Sequence, residues 1–95
     1  MTRIHKLDLI KHRFELLAAG DRSFDTRPVH ADFQRGDIIV YRMMDDTGRY
    51  AEMDPQTRNS IRKSFRIEFV QQGGQDGIAP GWCVLGLRMV EEQTA

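Results

Sequence analysis

The spacing of apolar residues changes repeatedly along this chain, and each change marks an element. Ile4 to Leu9 alternates loosely and reads as a short strand. From Lys11 to Ala19 the period lengthens: Ile10, Phe14, Leu17 and Ala18 fall on one helical face, with Lys11, Arg13 and Glu15 elsewhere. Gly20 stands where the end of that helix calls for a left-handed residue. Ser23 to Arg27, carrying Phe24 and Thr26, reads as a strand stopped by Pro28. The Gly36-Asp37 pair is a turn signal before Ile38–Met44, a β-branched run bounded by Asp45-Asp46-Thr47-Gly48 and the clearest strand in the chain.

The second half is less regular. Tyr50 to Lys63 is polar, and within it Asp54-Pro55 has the form of an N-cap followed by proline at the first helical position. A short helix near Pro55 to Arg62 is expected there. Phe65, Ile67 and Phe69 alternate with Arg66 and Glu68, the period of a half-buried strand. Gln71 to Gly81 is rich in glycine and reads as a loop, Trp82 to Val90 as the last strand, and Glu91 to Ala95 as a frayed tail. A helix early in an otherwise β chain predicts an α+β, mainly β fold: a small curled sheet or barrel capped at one end.

With 95 residues, the chain is expected to be one domain over 1–95, with a core at about 4–90 and a flexible tail at 91–95. The single cysteine, Cys83, rules out an intramolecular disulfide and fits a reducing cytoplasm. No apolar run approaches the roughly 20 residues that span a bilayer, and the start, MTRIHKLDLIKHRF, lacks an apolar signal core. A cytoplasmic protein with no membrane partner is the expectation. Basic and acidic residues balance at 14 each, which counts against nonspecific duplex binding but leaves room for a local basic pocket. Most of the basic residues are arginine, suited to bidentate recognition of phosphate or carboxylate, though GC-rich coding produces the same bias.

The densest chemistry lies between Gly20 and Asp37. There Arg22, Asp25 and Arg27, then Asp32, Arg35 and Asp37, interleave with Phe24 and Phe33. The run Gly20-Asp-Arg-Ser-Phe-Asp-Thr-Arg27 resembles the G-x-K-x-x-E-x-R signature of ASCH domains, small relatives of the PUA fold. More narrowly, the chain resembles a group of short ASCH-like proteins of bacteria and phages. Those open with a histidine and a leucine-lysine pair, here His5-Lys6-Leu7 in altered order, and continue with an aromatic in the helix (Phe14), Gly20 and an F-E-x-R strand (Phe24 to Arg27). Asp32-Phe33, Gly36-Asp37 and Gly81-Trp82-Cys83-Val84-Leu85 match later motifs. The resemblance runs from His5 to Leu87 and implies a PUA-like β-barrel with one or two helices.

It also bears on function. Some ASCH relatives are amidohydrolases acting on acetylated cytidine, in which the signature lysine serves catalysis. Here Arg22 replaces that lysine and Asp25 replaces the glutamate. Arginine, with a pKa above about 12, does not act as a general base, and aspartate reaches one methylene less far. The changes favour recognition of RNA or a nucleotide by Arg22, Asp25, Arg27, Phe33 and Arg35, without a cofactor. A hydrolase with Asp25 or Glu68 as acid/base is the alternative, and a phage or prophage module binding a protein through a strand edge is a third.

Each residue also has a plainer role. Arg27 would equally serve as an ion-pair tether to Asp25 or Asp37, and Ser23 and Thr26 as simple strand positions. Phe24 is expected in the core, leaving Phe33, in a loop, as the stacking candidate. His5, His12 and Cys83 have no zinc spacing, so no metal is expected. Cys83, between Trp82 and Val84, is expected buried and inert, and Trp82 is expected to pack on the barrel or helix, with lining of the cleft as the lesser alternative. Arg58, Arg62, Lys63 and Arg66 form the one basic stretch, more simply a solvated loop than a phosphate contact.

Overall fold

A computed structural model of the chain describes residues 2–44 and 62–90. The chain begins with strand β1 (Ile4–Ile10), passes directly into helix α1 (Lys11–Ala18), and returns as β2 (Phe24–Pro28). A single 3₁₀ turn (Val29–Ala31) leads towards β3 (Ile38–Met44), and β4 (Arg62–Gln72) and β5 (Trp82–Val90) complete the fold. The five strands form one sheet in the order β1-β3-β4-β5-β2. β1 runs parallel to β3, and the other neighbours are antiparallel. Among the described residues the fold is mainly β with one α-helix, and the mainly β character is what the apolar spacing predicts. The expected helix near Pro55 lies outside the described residues, except that Arg62 opens β4 as a strand residue. The tail at 91–95 also lies outside them.

Helix α1 is short, so burial rather than propensity holds it. Phe14 and Leu17 are buried in the core, whereas Ile10, at the strand–helix junction, is exposed. The helix ends in a Schellman arrangement: Gly20 N–H donates to Leu17 O at 3.1 Å and Asp21 N–H to Leu16 O at 3.0 Å. Gly20 sits at φ +80°, as that cap requires.

The sheet encloses the core on its concave face. Leu9, Ile39, Tyr41, Met43, Phe65, Ile67, Cys83, Leu85 and Leu87 point inward and meet Phe14 and Leu17 of the helix. In β3 and the first half of β4 every second residue faces inward, although the outward Val40 and Ser64 are buried too, and beyond Ile67 that alternation breaks. Phe65 and Ile67 are buried, but Phe69 is 51% exposed. The cause is a β-bulge: Ile67 pairs with Leu87 while Phe69 pairs with Gly86, so Glu68 is an extra residue and the pleat changes phase. Val70 then takes the inward place, paired with Leu85 and packed on the core. Period two predicts a half-buried strand with Phe69 facing inward, and the bulge overturns it for that residue.

A second polar centre ties β1 to the entry of β3. Asp37 is 3% exposed. Its Oδ2 accepts the His5 Nε2 proton at 2.9 Å and Gln34 N–H at 3.1 Å, and its Oδ1 accepts Arg3 N–H at 3.3 Å. Gly36 and Asp37 also exchange backbone hydrogen bonds with Ile67 in β4, each 2.8 Å. Burial works to raise the Asp37 carboxyl, but the His5 hydrogen bond and then the two backbone donors outweigh it and hold the group below its ordinary value. A carboxyl depressed in the folded state stabilises the fold above its unfolded pKa, and that contribution disappears as pH falls through the lower folded value. The unfolding free energy should therefore drop on acidification below about pH 4. In Asp37→Asn that acid-dependent loss should shrink, with about 1–3 kcal/mol already missing at neutral pH. Chemical denaturation across pH checks both.

Candidate functional site

The signature strand β2 is only five residues long, and its alternation decides what faces inward. Register places Asp25 opposite Leu85 and Arg27 opposite Cys83, both on the core side, with Phe24, Thr26 and Pro28 on the outer side. A charged pair thus enters a position that an apolar side chain would normally hold. Asp25 is 2% exposed. Its Oδ2 accepts from Arg27 Nε and from the Tyr41 hydroxyl, each at 2.8 Å, and its Oδ1 accepts Thr26 N–H at 2.9 Å. Arg27 continues across the gap between the sheet edges, donating from Nη2 to the Asp8 carbonyl of β1 at 3.0 Å. Its guanidinium lies 5.6 Å from the Tyr41 ring centroid.

Because β1 and β2 are the two edges of the sheet, this bond spans the seam of a curled sheet. Burial, and then the Asp25 carboxylate, push the Tyr41 phenol well above its ordinary value, so it remains a donor throughout the neutral range. Cys83, 1% exposed, points its Sγ at the Arg27 carbonyl at 3.3 Å, and burial raises its thiol. A thiol so held stays protonated at neutral pH and is no nucleophile. Among the described residues no three His, Cys, Asp or Glu side chains gather as a metal site.

A groove of about 280 Å³ lies along the seam. It is lined by Asp8, Leu9 and Ile10 from the end of β1, Arg13 from the first turn of α1, Thr26, Arg27 and Pro28 from β2, and Trp82 from the start of β5. Arg27 is both clasp and lining: its side chain is 22% exposed, and Nη1 has no acceptor among the described residues. Trp82, expected to pack on the barrel or helix, is 45% exposed. Arg13 is exposed and has no ion pair among the described residues.

Of the residues named from the sequence, Asp25 and Arg27 are brought together, and the others lie elsewhere. Arg22 donates from Nε to Phe24 O at 3.0 Å and lies over the Phe24 ring, 4.5 Å from its centroid, on the outer face. Arg35 lines a separate hollow with Thr2, Arg3, Gln34, Gly36 and Asp37. Phe33 is 5% exposed and packs 4.7 Å from the His5 ring, so its face is used inside the protein. Phe24, expected in the core, is 45% exposed because Asp25 takes the inward position beside it. Glu68 sits in the β4 bulge, 3.8 Å from Arg88, and does not line the groove. Sequence reasoning missed Arg13 and Tyr41, and held Trp82 as a lining residue only as the lesser alternative. Tyr41 carried a legible signal: in a strand that buries Ile39 and Met43, its hydroxyl must find a buried partner.

Removing the Tyr41 hydroxyl in Tyr41→Phe should cost about 1–2 kcal/mol, since Asp25 keeps its other donors. Asp25→Ala should cost about 3 kcal/mol or more, because Arg27 loses its counter-charge in a largely enclosed place. Equilibrium unfolding of the two variants should reproduce that order. A Tyr41→Phe loss equal to that of Asp25→Ala would place the weight on the hydroxyl instead.

The described residues contain no helix long and apolar enough to cross a membrane. No curated protein matches the chain. A family model for a domain of unknown function, DUF3850, matches residues 4–87, nearly the whole of the fold described above, and the chain belongs to that family.

Proposed function

We propose that this domain is a PUA-like fold of the ASCH type that binds single-stranded RNA or a nucleotide in the seam groove, without catalysis. The observation that carries this reading is the exposed Trp82 indole standing in one groove with Arg13 and Arg27. An aromatic face for a base beside cations for phosphate is the usual equipment of a single-strand binder. The site is displaced from the one the signature suggests: Arg27 stays, while Arg13 and Trp82 take the places expected of Arg35 and Phe33.

The placement of Asp25 weighs against chemistry. Both its oxygens are occupied and it is enclosed, so it is not offered to a substrate proton. Arg22, at the signature lysine position, lies over Phe24 rather than in the groove. These placements weigh against the amidohydrolase reading. A protein ligand at the β2 edge is less favoured, because Arg27 already ties that edge to β1.

A mixed-sequence eight-nucleotide RNA should bind at low salt and quench the fluorescence of Trp82, the chain's single tryptophan. Affinity should fall about 5-fold or more in Trp82→Ala. In Arg13→Ala the slope of log K against log salt should flatten by about 0.7 for each phosphate that is no longer neutralised. Absence of binding at low salt, or Trp82→Ala binding like the parent, would sink the proposal.

A further inference from the structure

We infer that the outer face of β4-β5-β2 is a second nucleic-acid contact, a stacking platform that continues the seam groove and carries the next nucleotides of the same single strand. The inference extends the groove reading and rests on other residues. Its starting point is the bulge in β4. By turning Phe69 outward, the bulge places it in one cross-strand row with Gly86 and Phe24. A Cβ on Gly86 would collide with the Phe69 ring, so the ring packs directly over the glycine, in the middle of the sheet. Phe24 stands beside it on β2. The two rings are 51% and 45% exposed, an arrangement that costs apolar hydration unless something flat covers it.

The charges around this row point to a polyanion. Arg22 caps the Phe24 ring from one side. On the other side Arg66 and Arg88 stand directly opposite each other across β4 and β5, a like-charge pair that is unfavourable in an isolated sheet. Arg66 is exposed with no ion pair among the described residues. Glu68 lies 3.8 Å from Arg88, whose side chain is 74% exposed, so that pair holds Arg88 only weakly. Asp76 is hydrogen-bonded by Gln71 at 2.6 Å.

The face is continuous with the groove. Along β5, Trp82, Val84, Gly86 and Arg88 all point outward, and Thr26, opposite Val84, lines the groove. At about 3.4 Å per residue the aromatic row lies about 14 Å from Trp82 and the arginine pair about 7 Å further. A strand seated on Trp82 therefore reaches two more aromatic rings and then two cations in one line. A second copy of this chain is the poorer occupant, since a two-fold contact through this face would bring the arginines of both copies together.

The test uses the eight-nucleotide RNA and a dinucleotide, with Phe69→Ala, Arg66→Gln and Arg88→Gln proteins whose unfolding midpoints are checked first. Each variant should weaken the eight-mer about 5-fold or more and leave the dinucleotide affinity within about 2-fold, because only the longer strand reaches the platform. The arginine variants keep the aromatic row intact and should also flatten the salt slope. Eight-mer binding that needs Trp82 but ignores all three changes would overturn the platform and leave the groove standing. Binding that needs Phe69 and the arginines but ignores Trp82→Ala would do the reverse. A concentration-dependent dimer in sedimentation, abolished by Phe69→Ala, would assign the face to self-association and refute the inference.

Discussion

Everything near the seam depends on the carboxylate of Asp25. It is buried in a small sheet, and an enclosed charge is tolerated only with a full set of partners. Three donors supply them: the Arg27 guanidinium, the Tyr41 hydroxyl and the Thr26 amide. Through Tyr41 the short edge strand β2 is fastened to β3, on the far side of the sheet order. Through Arg27 it reaches β1, the opposite edge. The sheet is thereby drawn into a curl, and the two edges most open to pairing with another chain are directed at one another.

That arrangement fixes what the seam has to offer a ligand. Of the three residues most prominent in the sequence signature, Asp25 is spent on structure, Arg22 on the Phe24 ring, and only Arg27 retains a side turned to the groove. The rest of the groove is lined by flanking elements, among them Arg13 at the start of α1 and Trp82 at the start of β5. Arg22 and Asp25, where the ASCH signature that the chain resembles has lysine and glutamate, suit this division. The shorter acid fits under Tyr41 and Arg27, and a guanidinium stacks on a ring where an ammonium would be a poorer match.

The elements with strong local signals were legible. Ile38–Met44 follows from its β-branched run and the turn before it, the helix from Phe14, Leu17 and Gly20, and the last strand from Trp82 to Val90. What failed to show was decided by tertiary pairing. The Phe69 reversal follows from a bulge that period-two reasoning has no means to place. Phe24 and Phe33 exchange their expected roles because hydrophobicity alone does not choose the inward face here. The network around Asp25 chooses it instead, and a left-handed Asp32, at φ 50°, precedes Phe33 where it turns inward against His5. Arg22, Arg27 and Arg35 are close in sequence, yet the strand and the turn after it carry them to three different surfaces. Proximity along the chain is a poor guide to convergence.

The central claim is that the Arg27 side chain joins the two edges of the sheet, and amide hydrogen exchange in Arg27→Leu tests it most directly. Leucine fills much of the space but donates neither bond. Protection should fall together in β2 and in the end of β1 around Asp8–Ile10, while the paired core of β3, β4 and β5 keeps its slow exchange. A loss confined to β2, with β1 exchanging as in the parent, would contradict the account and reduce Arg27 to a tether of its own strand.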